Sequence, residues 1–216
     1  MKNIGILGSG MVATVLGDGF IKYGYKVCMG TSHPEKLDDW KAKHGDVVNI
    51  GSFADAANFG DLLVLPVKGS AAMGVLESAG RENIEGKTII DTTNPIEAAP
   101  PVHGVLKFFT DINLSLMEQL QKAYPGANFV KAFNSLGAPL MVNPDFGGVK
   151  PSMFICGDNG AAKMEVTEIC DLFGFDTEDM GQSEAARAIE SLAMLWCITG
   201  FTTNEWDRHA FKLLKR

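Results

Sequence analysis

Residues 1–33 constrain the fold more strongly than any other stretch of the chain. Residues 2–7 form a short apolar run typical of a buried strand. The sequence Gly8-Ser9-Gly10-Met11-Val12-Ala13 follows at once and has the form GxGxxA. Apolar residues at helical spacing then continue to Tyr23, Gly24 is placed to end the helix, and residues 25–30 form a second strand. This order predicts a dinucleotide-binding βαβ unit.

The small residues of the glycine-rich turn suit a pyrophosphate. Gly8 permits a tight turn out of the strand, Gly10 has no Cβ to hold phosphates away, and Ala13 lets the helix pack close to the sheet. Backbone N–H groups of residues 9–12 would point at the phosphates from a helix N-terminus, where the dipole favours an anion. The alternative is a tight turn in an ordinary α/β domain.

Composition and charge exclude several classes of function. The chain has 216 residues, a net charge of −7 and no basic cluster, which argues against nucleic acid or an anionic membrane as a partner. The sequence contains no apolar run long enough for a membrane span and does not start with a signal-peptide pattern, so we expect a cytoplasmic protein. The four cysteines and four histidines are scattered, and we expect no metal site.

Strands and helices alternate along most of the chain. This rhythm predicts an α/β fold, a Rossmann-type, doubly wound, mostly parallel sheet with a small helical C-terminal extension. We expect a single dinucleotide-binding domain over 1–216, with a Rossmann core at 1–150 and a small C-terminal α/β extension at 151–216. The predicted strands cover 2–7, 25–30, 47–50, 61–65, 87–91, 128–133, 152–156 and 175–180.

Three serines stand three residues before an acidic residue where helices are expected to begin. This spacing predicts capping boxes for the pairs Ser32 and Glu35, Ser52 and Asp55, and Ser115 and Glu118.

Two other segments have open roles. Residues 92–110 are irregular and rich in proline, which suits a lid, an oligomer contact or a surface excursion. Residues 185–200 form a helix that is apolar nearly all round, so it must be buried in the fold or against a partner subunit. From these two segments we expect a homodimer.

Functional residues of an open α/β sheet lie beyond the carboxyl ends of its strands. Those ends carry residues 8–13, 30–33, 66–68, 92–95 and 132–135. Asp91, at the end of the fifth strand, is expected to be a structural carboxylate that bonds backbone N–H groups. No acid–base pair stands out, so no catalytic residue is assigned, and this absence favours hydride transfer that depends on positioning.

The second strand indicates the choice of cofactor. Enzymes that prefer NAD usually place Asp or Glu there to bond the ribose, but this strand is followed by Thr31-Ser32-His33, with no acid before Glu35. These three residues and Lys36 suit a 2′-phosphate, so NADP is predicted over NAD. Ser32 could instead be only a helix cap and His33 only solvated, and both interpretations can hold together.

Several motifs together resemble a known family, the deazaflavin (coenzyme F-420)-dependent NADP oxidoreductases. The motifs GILGSGMVA, MGTSHPEK, DTTNP, GANFVKAFNS, FICGD and ESLAMLW occur in the order seen in that family. The chain is similar, too, to the cytosolic reductase domain of the six-transmembrane metalloreductases. The resemblance covers nearly the whole chain, and KAFN and DTTNP are its more specific parts.

The resemblance implies a commonly dimeric protein that passes a hydride between NADP and a flavin-like ring. It implies that the pyrophosphate contacts Gly8, Ser9, Gly10, Met11 and Val12, and the 2′-phosphate Thr31, Ser32 and His33. It implies that the nicotinamide is surrounded by Pro66, Val67, Asn94, Pro95, Ala132 and Asn134. One departure is that Thr31-Ser32 replaces the Ser-Arg typical of the family, so a bidentate phosphate clamp is missing.

The second substrate is left open at this point. A deazaflavin, a flavin, a quinone, and a small imine or keto compound are all compatible with the sequence. A different class of function is a non-catalytic module that binds or senses NADP, because no catalytic acid or base is identified.

Overall fold

A computed structural model describes residues 2–216, and its main feature is a six-stranded sheet. The strands are β1 (Asn3–Leu7), β2 (Lys26–Gly30), β3 (Val48–Gly51), β4 (Leu62–Leu65), β5 (Thr88–Asp91) and β6 (Asn128–Lys131). Their order across the sheet is β3-β2-β1-β4-β5-β6, and every pairing is parallel. This is the strand order of the Rossmann fold, so the predicted fold class is confirmed.

Helices cover both faces of this sheet, as a parallel sheet requires. They are α1 (Met11–Lys22), α2 (Asp38–His44), α3 (Phe53–Phe59), α4 (Gly69–Ala79), α5 (Arg81–Ile84) and α6 (Leu116–Ala123). Successive side chains of one strand enter opposite layers. In β4, Leu62 and Val64 join one buried cluster, and Leu63 and Leu65 join the other. All four are buried, which explains why β4 is apolar throughout.

The helix caps agree with the sequence at two of three positions. Capping boxes form at the start of α3, between Ser52 and Asp55, and at the start of α6, between Ser115 and Glu118.

The third predicted capping box, at Ser32, is wrong. The chain enters a 3-10 turn at Pro34, with His33 at the cap position, so Ser32 lies one residue too early. The carboxylate of Glu35 lies instead beside the ring of His33.

The C-terminal part adds a second, smaller α/β layer. It contains β7 (Ser152–Ile155), α7 (Gly160–Leu172) and β8 (Asp176–Asp179), and the two strands pair in parallel. A single antiparallel bridge between Lys131 and Cys156 links β6 to the end of β7. Phe173 and Phe175 pack in the same buried cluster as Phe20 of α1, so the two parts share one core.

The last helix, α8 (Ala186–Thr203), buries only one of its faces. Ile189, Glu190 and Trp196 are buried, whereas Leu195 is 55% exposed. The inner face of α8 is therefore buried in the fold. The outer face is exposed in the single chain, and its predicted burial against a partner subunit stays a prediction.

Residues 204–216 return from α8 along the protein surface. The ring of Trp206 packs against α8 where Gly200 leaves room for it, since a Cβ at Gly200 would lie 2.5 Å from that ring. Further on, the backbone N–H of Ser152 in β7 donates to the carbonyl of Phe211. The segment thus connects α8 with β7.

The irregular stretch predicted at 92–110 contains a small hairpin of its own. Antiparallel bridges join Ile96 to Phe108 and Val102 to Val105. The hairpin tip at Gly104 lies beside Phe201 near the end of α8. Among residues 2–216, no helix has both the length and the apolar character needed to cross a membrane.

Candidate dinucleotide site and a buried charge cluster

The order of the strands brings the predicted binding segments together. The glycine-rich turn follows the central strand β1, residues 31–36 follow its neighbour β2, and residues 66–68 follow β4 on its other side. Residues 92–95 follow β5 and residues 132–135 follow β6. All these segments therefore lie at the carboxyl edge of one sheet, where ligands of open α/β folds bind.

Gly10 is a glycine that the protein itself does not require. Its backbone is extended, with φ of −83° and ψ of −177°, a conformation open to any residue. A Cβ built there would meet nothing within 4 Å. Gly8 differs, because a Cβ there would lie 3.2 Å from both the Pro66 carbonyl oxygen and Val67 Cγ1. Gly8 is thus explained by the close packing of the turn against Pro66 and Val67. No contact within the protein explains Gly10.

The N-terminus of α1 opens beside Gly10. Gly10 is its N-cap, no side chain caps it within the described residues, and its first turn holds no acidic residue. The first backbone N–H groups of a helix have no partner inside it, so those of Met11 and Val12 are available to an anion. Met11 is 70% exposed, which leaves this end of the helix accessible.

Thr31 connects the glycine-rich turn with the segment after β2. Its hydroxyl lies 2.8 Å from the hydroxyl of Ser9 and accepts the backbone N–H of His33 at 3.0 Å. The backbone N–H of Thr31 donates to the carbonyl of Gly51. Thr31 is buried, so it positions the two segments, whereas Ser32, His33 and Lys36 are exposed to solvent.

The carboxylate of Glu35 lies at the same end of the site, a position that the sequence pattern did not predict. Glu35 Oε1 is 3.3 Å from His33 Nδ1, and both side chains are more than half exposed. The carboxylate therefore lies beside the imidazole that was predicted to face a phosphate.

Asn94 and Asn134 hold each other at the carboxyl ends of β5 and β6. Asn94 Nδ2 donates to the Asn134 carbonyl at 2.8 Å, and Asn134 Nδ2 donates to Asn94 Oδ1 at 2.9 Å. Asn134 Nδ2 also donates to the carbonyl of Ile189 in α8 at 2.9 Å. Asn134 Oδ1 is buried and has no hydrogen-bond partner among residues 2–216. Such a buried acceptor is costly unless a ligand or water satisfies it.

A cavity of about 340 Å³ opens beside Asn94. It is lined by the ends of β4 and β5, the start of α4 and the first hairpin residues, which are Val67, Lys68, Gly69, Ser70, Thr92, Asn94, Ile96, Glu97 and Ala98. Of the other residues predicted around the nicotinamide, Pro66, Pro95 and Ala132 are buried. A larger groove of about 510 Å³ lies where β6 begins at Asn128, at the opposite edge of the sheet from the predicted segments.

Three charged side chains form a buried cluster next to the segments that carry the two asparagines. They are Asp91, Lys131 and Glu190. Lys131 Nζ lies 2.8 Å from Asp91 Oδ2 and 2.9 Å from Glu190 Oε1, and it donates to the carbonyl of Thr93 at 2.8 Å. At most 2% of any of the three side chains is exposed. Burial by itself would lower the pKa of Lys131, but the adjacent charges of Asp91 and Glu190 outweigh it and raise that pKa. Lys131 is therefore an ammonium ion.

Both carboxylates of this cluster hold backbone N–H groups as well. Asp91 Oδ1 accepts the backbone N–H and the hydroxyl of Thr93, which confirms its predicted structural role. Glu190 accepts the N–H groups of Leu116 and Met117 in the first turn of α6, at 3.0 and 3.1 Å.

Sequence reasoning missed Lys131 and Glu190 as partners. A signal was present, because each stands alone in an apolar run, NFVKAF for the lysine and AIESLAML for the glutamate. A charge in a buried segment requires a partner of opposite sign. Which charges meet depends on how β5, β6 and α8 pack, and that is not local information.

Comparison with known proteins identifies relatives over nearly the whole chain. Residues 3–95 match the model of the family described as NADP oxidoreductase, coenzyme F420-dependent. A solved structure from Arthrobacter sp. FB24, provisionally described as an F420-dependent NADP reductase, is 29% identical, covers 100% of both chains and superposes with a TM-score of 0.92. A hypothetical protein from Sinorhizobium meliloti is 25% identical over 86% of this chain and 87% of its own, with a TM-score of 0.73.

The chain is also similar to part of a longer protein. Metalloreductase STEAP3 of Rattus norvegicus is 27% identical over 192 residues, which is 88% of this chain and 36% of that protein. The chain thus spans about a third of the length of the curated relatives it matches. These comparisons confirm the predicted resemblance to the F420-dependent NADP oxidoreductases and to the metalloreductases.

Proposed function

We propose, from the resemblance to the F420-dependent NADP oxidoreductases, that this chain transfers a hydride between NADP(H) and a flavin-like or deazaflavin acceptor. The pyrophosphate would lie on Gly8, Ser9, Gly10, Met11 and Val12. The 2′-phosphate would lie at Thr31, Ser32, His33 and Lys36. The nicotinamide would lie among Pro66, Val67, Asn94, Pro95, Ala132 and Asn134.

The open space at Gly10 is the observation that carries this proposal. A glycine with an ordinary extended backbone and no neighbour within 4 Å of its missing Cβ is not explained by folding. It lies at the N-cap of α1, where N–H groups without intrahelical partners and the helix dipole favour a negatively charged group. A pyrophosphate close to the backbone explains both features.

The residues after β2 have two different roles in this proposal. The buried hydroxyl of Thr31 keeps the glycine-rich turn and residues 32–36 in register through its bonds to Ser9 and His33. Ser32, Lys36 and the ring of His33 are the exposed groups that can reach a 2′-phosphate. Thr31 would thus position the phosphate site rather than supply a free donor.

Asn134 and the adjacent cavity suit the reactive end of the cofactor. The unpartnered Oδ1 of Asn134 can accept the N–H of a nicotinamide carboxamide. The cavity beside Asn94 offers about 340 Å³ for part of a second ring. NADPH supplies the hydride chemistry, and the protein supplies orientation and a site that excludes water.

Turnover with a panel of acceptors tests the proposal. NADPH oxidation should be measured with a deazaflavin, free flavins, a quinone, and small imines and ketones. We expect turnover with a deazaflavin or flavin. Turnover only with imines or ketones would identify a different acceptor class, and tight NADPH binding without turnover of any acceptor would favour a sensing module.

Cofactor preference provides a first prediction. We expect NADP to bind more tightly than NAD by about tenfold, because hydrogen bonds to a charged group contribute roughly 1.5–3 kcal/mol each. The preference should be larger at pH 6 than at pH 8, since a histidine side chain gains positive charge as the pH falls through this range. Calorimetric dissociation constants for both cofactors at both pH values measure it.

The variant Glu35→Gln sharpens this test. It removes the carboxylate beside His33 while keeping the size of the side chain, so the preference for NADP should rise. Asp39→Asn, an exposed acid of α2, is the matched control for the same loss of charge. Equal affinities for NADP and NAD at both pH values would contradict the 2′-phosphate assignment.

Assembly provides a second prediction. We define the outer apolar surface as Val102, Val105, Phe109, Leu195 and Phe201, which are all at least 42% exposed and belong to the hairpin and to α8. The hairpin tip meets α8 at Phe201, and exposed apolar patches tend to mark interfaces, so we expect a homodimer. Light scattering at micromolar concentration should give twice the mass of the chain.

One substitution within that surface tests its role. Leu195→Glu should produce a monomer, whereas Met164→Glu, at a residue of α7 that is 67% exposed, should leave the dimer intact. A native protein that is monomeric at micromolar concentration would contradict the prediction.

A further inference from the structure

The buried charge cluster of Asp91, Lys131 and Glu190 connects to both asparagines of the candidate nicotinamide site. Lys131 Nζ donates to the carbonyl of Thr93, and Thr93 directly precedes Asn94. Asn134 Nδ2 donates to the carbonyl of Ile189, and Ile189 directly precedes Glu190. Asn94 therefore follows the residue whose carbonyl binds Lys131. Asn134 binds the carbonyl of the residue that precedes Glu190.

Lys131 Nζ lies among three acceptors. It donates a hydrogen bond to the Thr93 carbonyl at 2.8 Å and forms ion pairs with Asp91 Oδ2 at 2.8 Å and Glu190 Oε1 at 2.9 Å. These acceptors come from the end of β5, from α8 and from the segment after β5. A single buried cation thus fixes three parts of the chain relative to β6.

The chain between Lys131 and Asn134 is also fixed by its packing. Phe133 has a φ of +58°, in the left-handed region that a bulky side chain rarely adopts. Its ring is buried against Phe173 and Phe175. A conformation of this kind persists only where the surroundings determine it, and it is concentrated at functional sites.

We propose that Lys131 is a positioning residue, which holds Asn94 and Asn134 in the arrangement that receives the nicotinamide and makes that arrangement depend on the docking of α8. This inference rests on the proposed function. Glu190 is the link to α8, because its carboxylate bonds Lys131 on one side and the first turn of α6 on the other. Lys131 acts through the two asparagines and does not itself contact the cofactor.

The test compares two ligands that differ only at the reactive end. NADPH carries the nicotinamide, whereas 2′-phospho-ADP-ribose keeps the adenosine, all the phosphates and both riboses but lacks the ring. The ratio of their dissociation constants reports the contribution of the ring alone. A general loss of stability in the adenosine half would affect both ligands and cancel in the ratio.

Two nearly isosteric variants perturb the cluster independently. Glu190→Gln and Asp91→Asn each remove one of the charges that hold Lys131. We expect the native protein to bind NADPH more tightly than the ringless ligand. In each folded variant the ratio of the two dissociation constants should fall on the order of tenfold, which corresponds to about one hydrogen bond. Because either variant alone carries the test, failure of one to fold does not prevent it.

Arg187→Met is the matched control. Arg187 pairs with Glu118 and therefore also joins α8 to α6, but it does not touch Lys131. The ligand ratio should be unchanged in this variant.

Three outcomes would contradict the proposal. An unchanged ratio in the folded variants of Glu190 and Asp91, with ring preference present in the native protein, would overturn the role of Lys131 alone. An equal loss in Arg187→Met would show that the docking of α8 in general, and not the charge cluster, positions the asparagines, and it would overturn the role of Lys131. Native protein with no preference for NADPH over the ringless ligand would overturn the proposed nicotinamide site as well.

Discussion

Replacing Gly10 with Asp is expected to abolish dinucleotide binding and to leave the fold intact. The new side chain meets nothing within 4 Å in the protein, and the backbone at Gly10 already has a conformation open to any residue. The same side chain would occupy the space proposed for the pyrophosphate and would repel its charge. Affinity for NADP by calorimetry, with circular dichroism to monitor folding, measures both halves of this expectation.

Gly160→Asp is the matched control for this variant. Gly160 begins α7 as Gly10 precedes α1, and a Cβ there also meets nothing within 4 Å. The variant Gly160→Asp introduces the same charge at another helix N-terminus, so its affinity for NADP should equal that of the native protein. If Gly10→Asp bound NADP as tightly as the native protein, the glycine-rich turn would not be the pyrophosphate site.

Replacing Lys131 with Met should destabilise the protein by about 3–5 kcal/mol, the range typical of removing one partner from a buried ion pair. Asp91 and Glu190 would then face each other in the interior without a cation. The free energy of unfolding from urea denaturation at neutral pH measures the loss.

Removing all three charges separates this electrostatic effect from a change in packing. The variant that combines Lys131→Met, Asp91→Asn and Glu190→Gln should recover much of the lost stability, since buried ion pairs are often replaceable by neutral groups. Loss of stability in the triple variant equal to that of Lys131→Met would show that shape, and not charge, governs the site.

The sheet could be predicted from the sequence because its signals are local. Apolar runs such as residues 62–65 alternate with amphipathic segments, and the pairs at Ser52 and Ser115 mark where two helices begin. The capping box at Ser32 was wrong because Pro34 starts the turn one residue later than the spacing suggests. The division at residue 150 and the cytoplasmic location stay predictions.

The candidate site was predictable only in part. The glycine-rich turn can be predicted from a short motif. The contact between the hydroxyls of Ser9 and Thr31 joins residues only 22 positions apart. Lys131 and Glu190 meet only because β6 and α8 pack together, and no spacing rule anticipates that. The pairing of Glu35 with His33 depends on the local path of a 3-10 turn, which the sequence pattern does not specify.

The two ends of the candidate site have very different requirements during synthesis on the ribosome. The end proposed for the adenosine is assembled from contacts such as that between Ser9 and Thr31, 22 positions apart, which can form early. The other end needs the contacts of Asn134 with Ile189, 55 positions apart, and of Leu116 with Glu190, 74 positions apart. A nascent chain can therefore build the half proposed to hold phosphates well before the half proposed to orient the ring. The proposed site is complete only after α8 has emerged and docked.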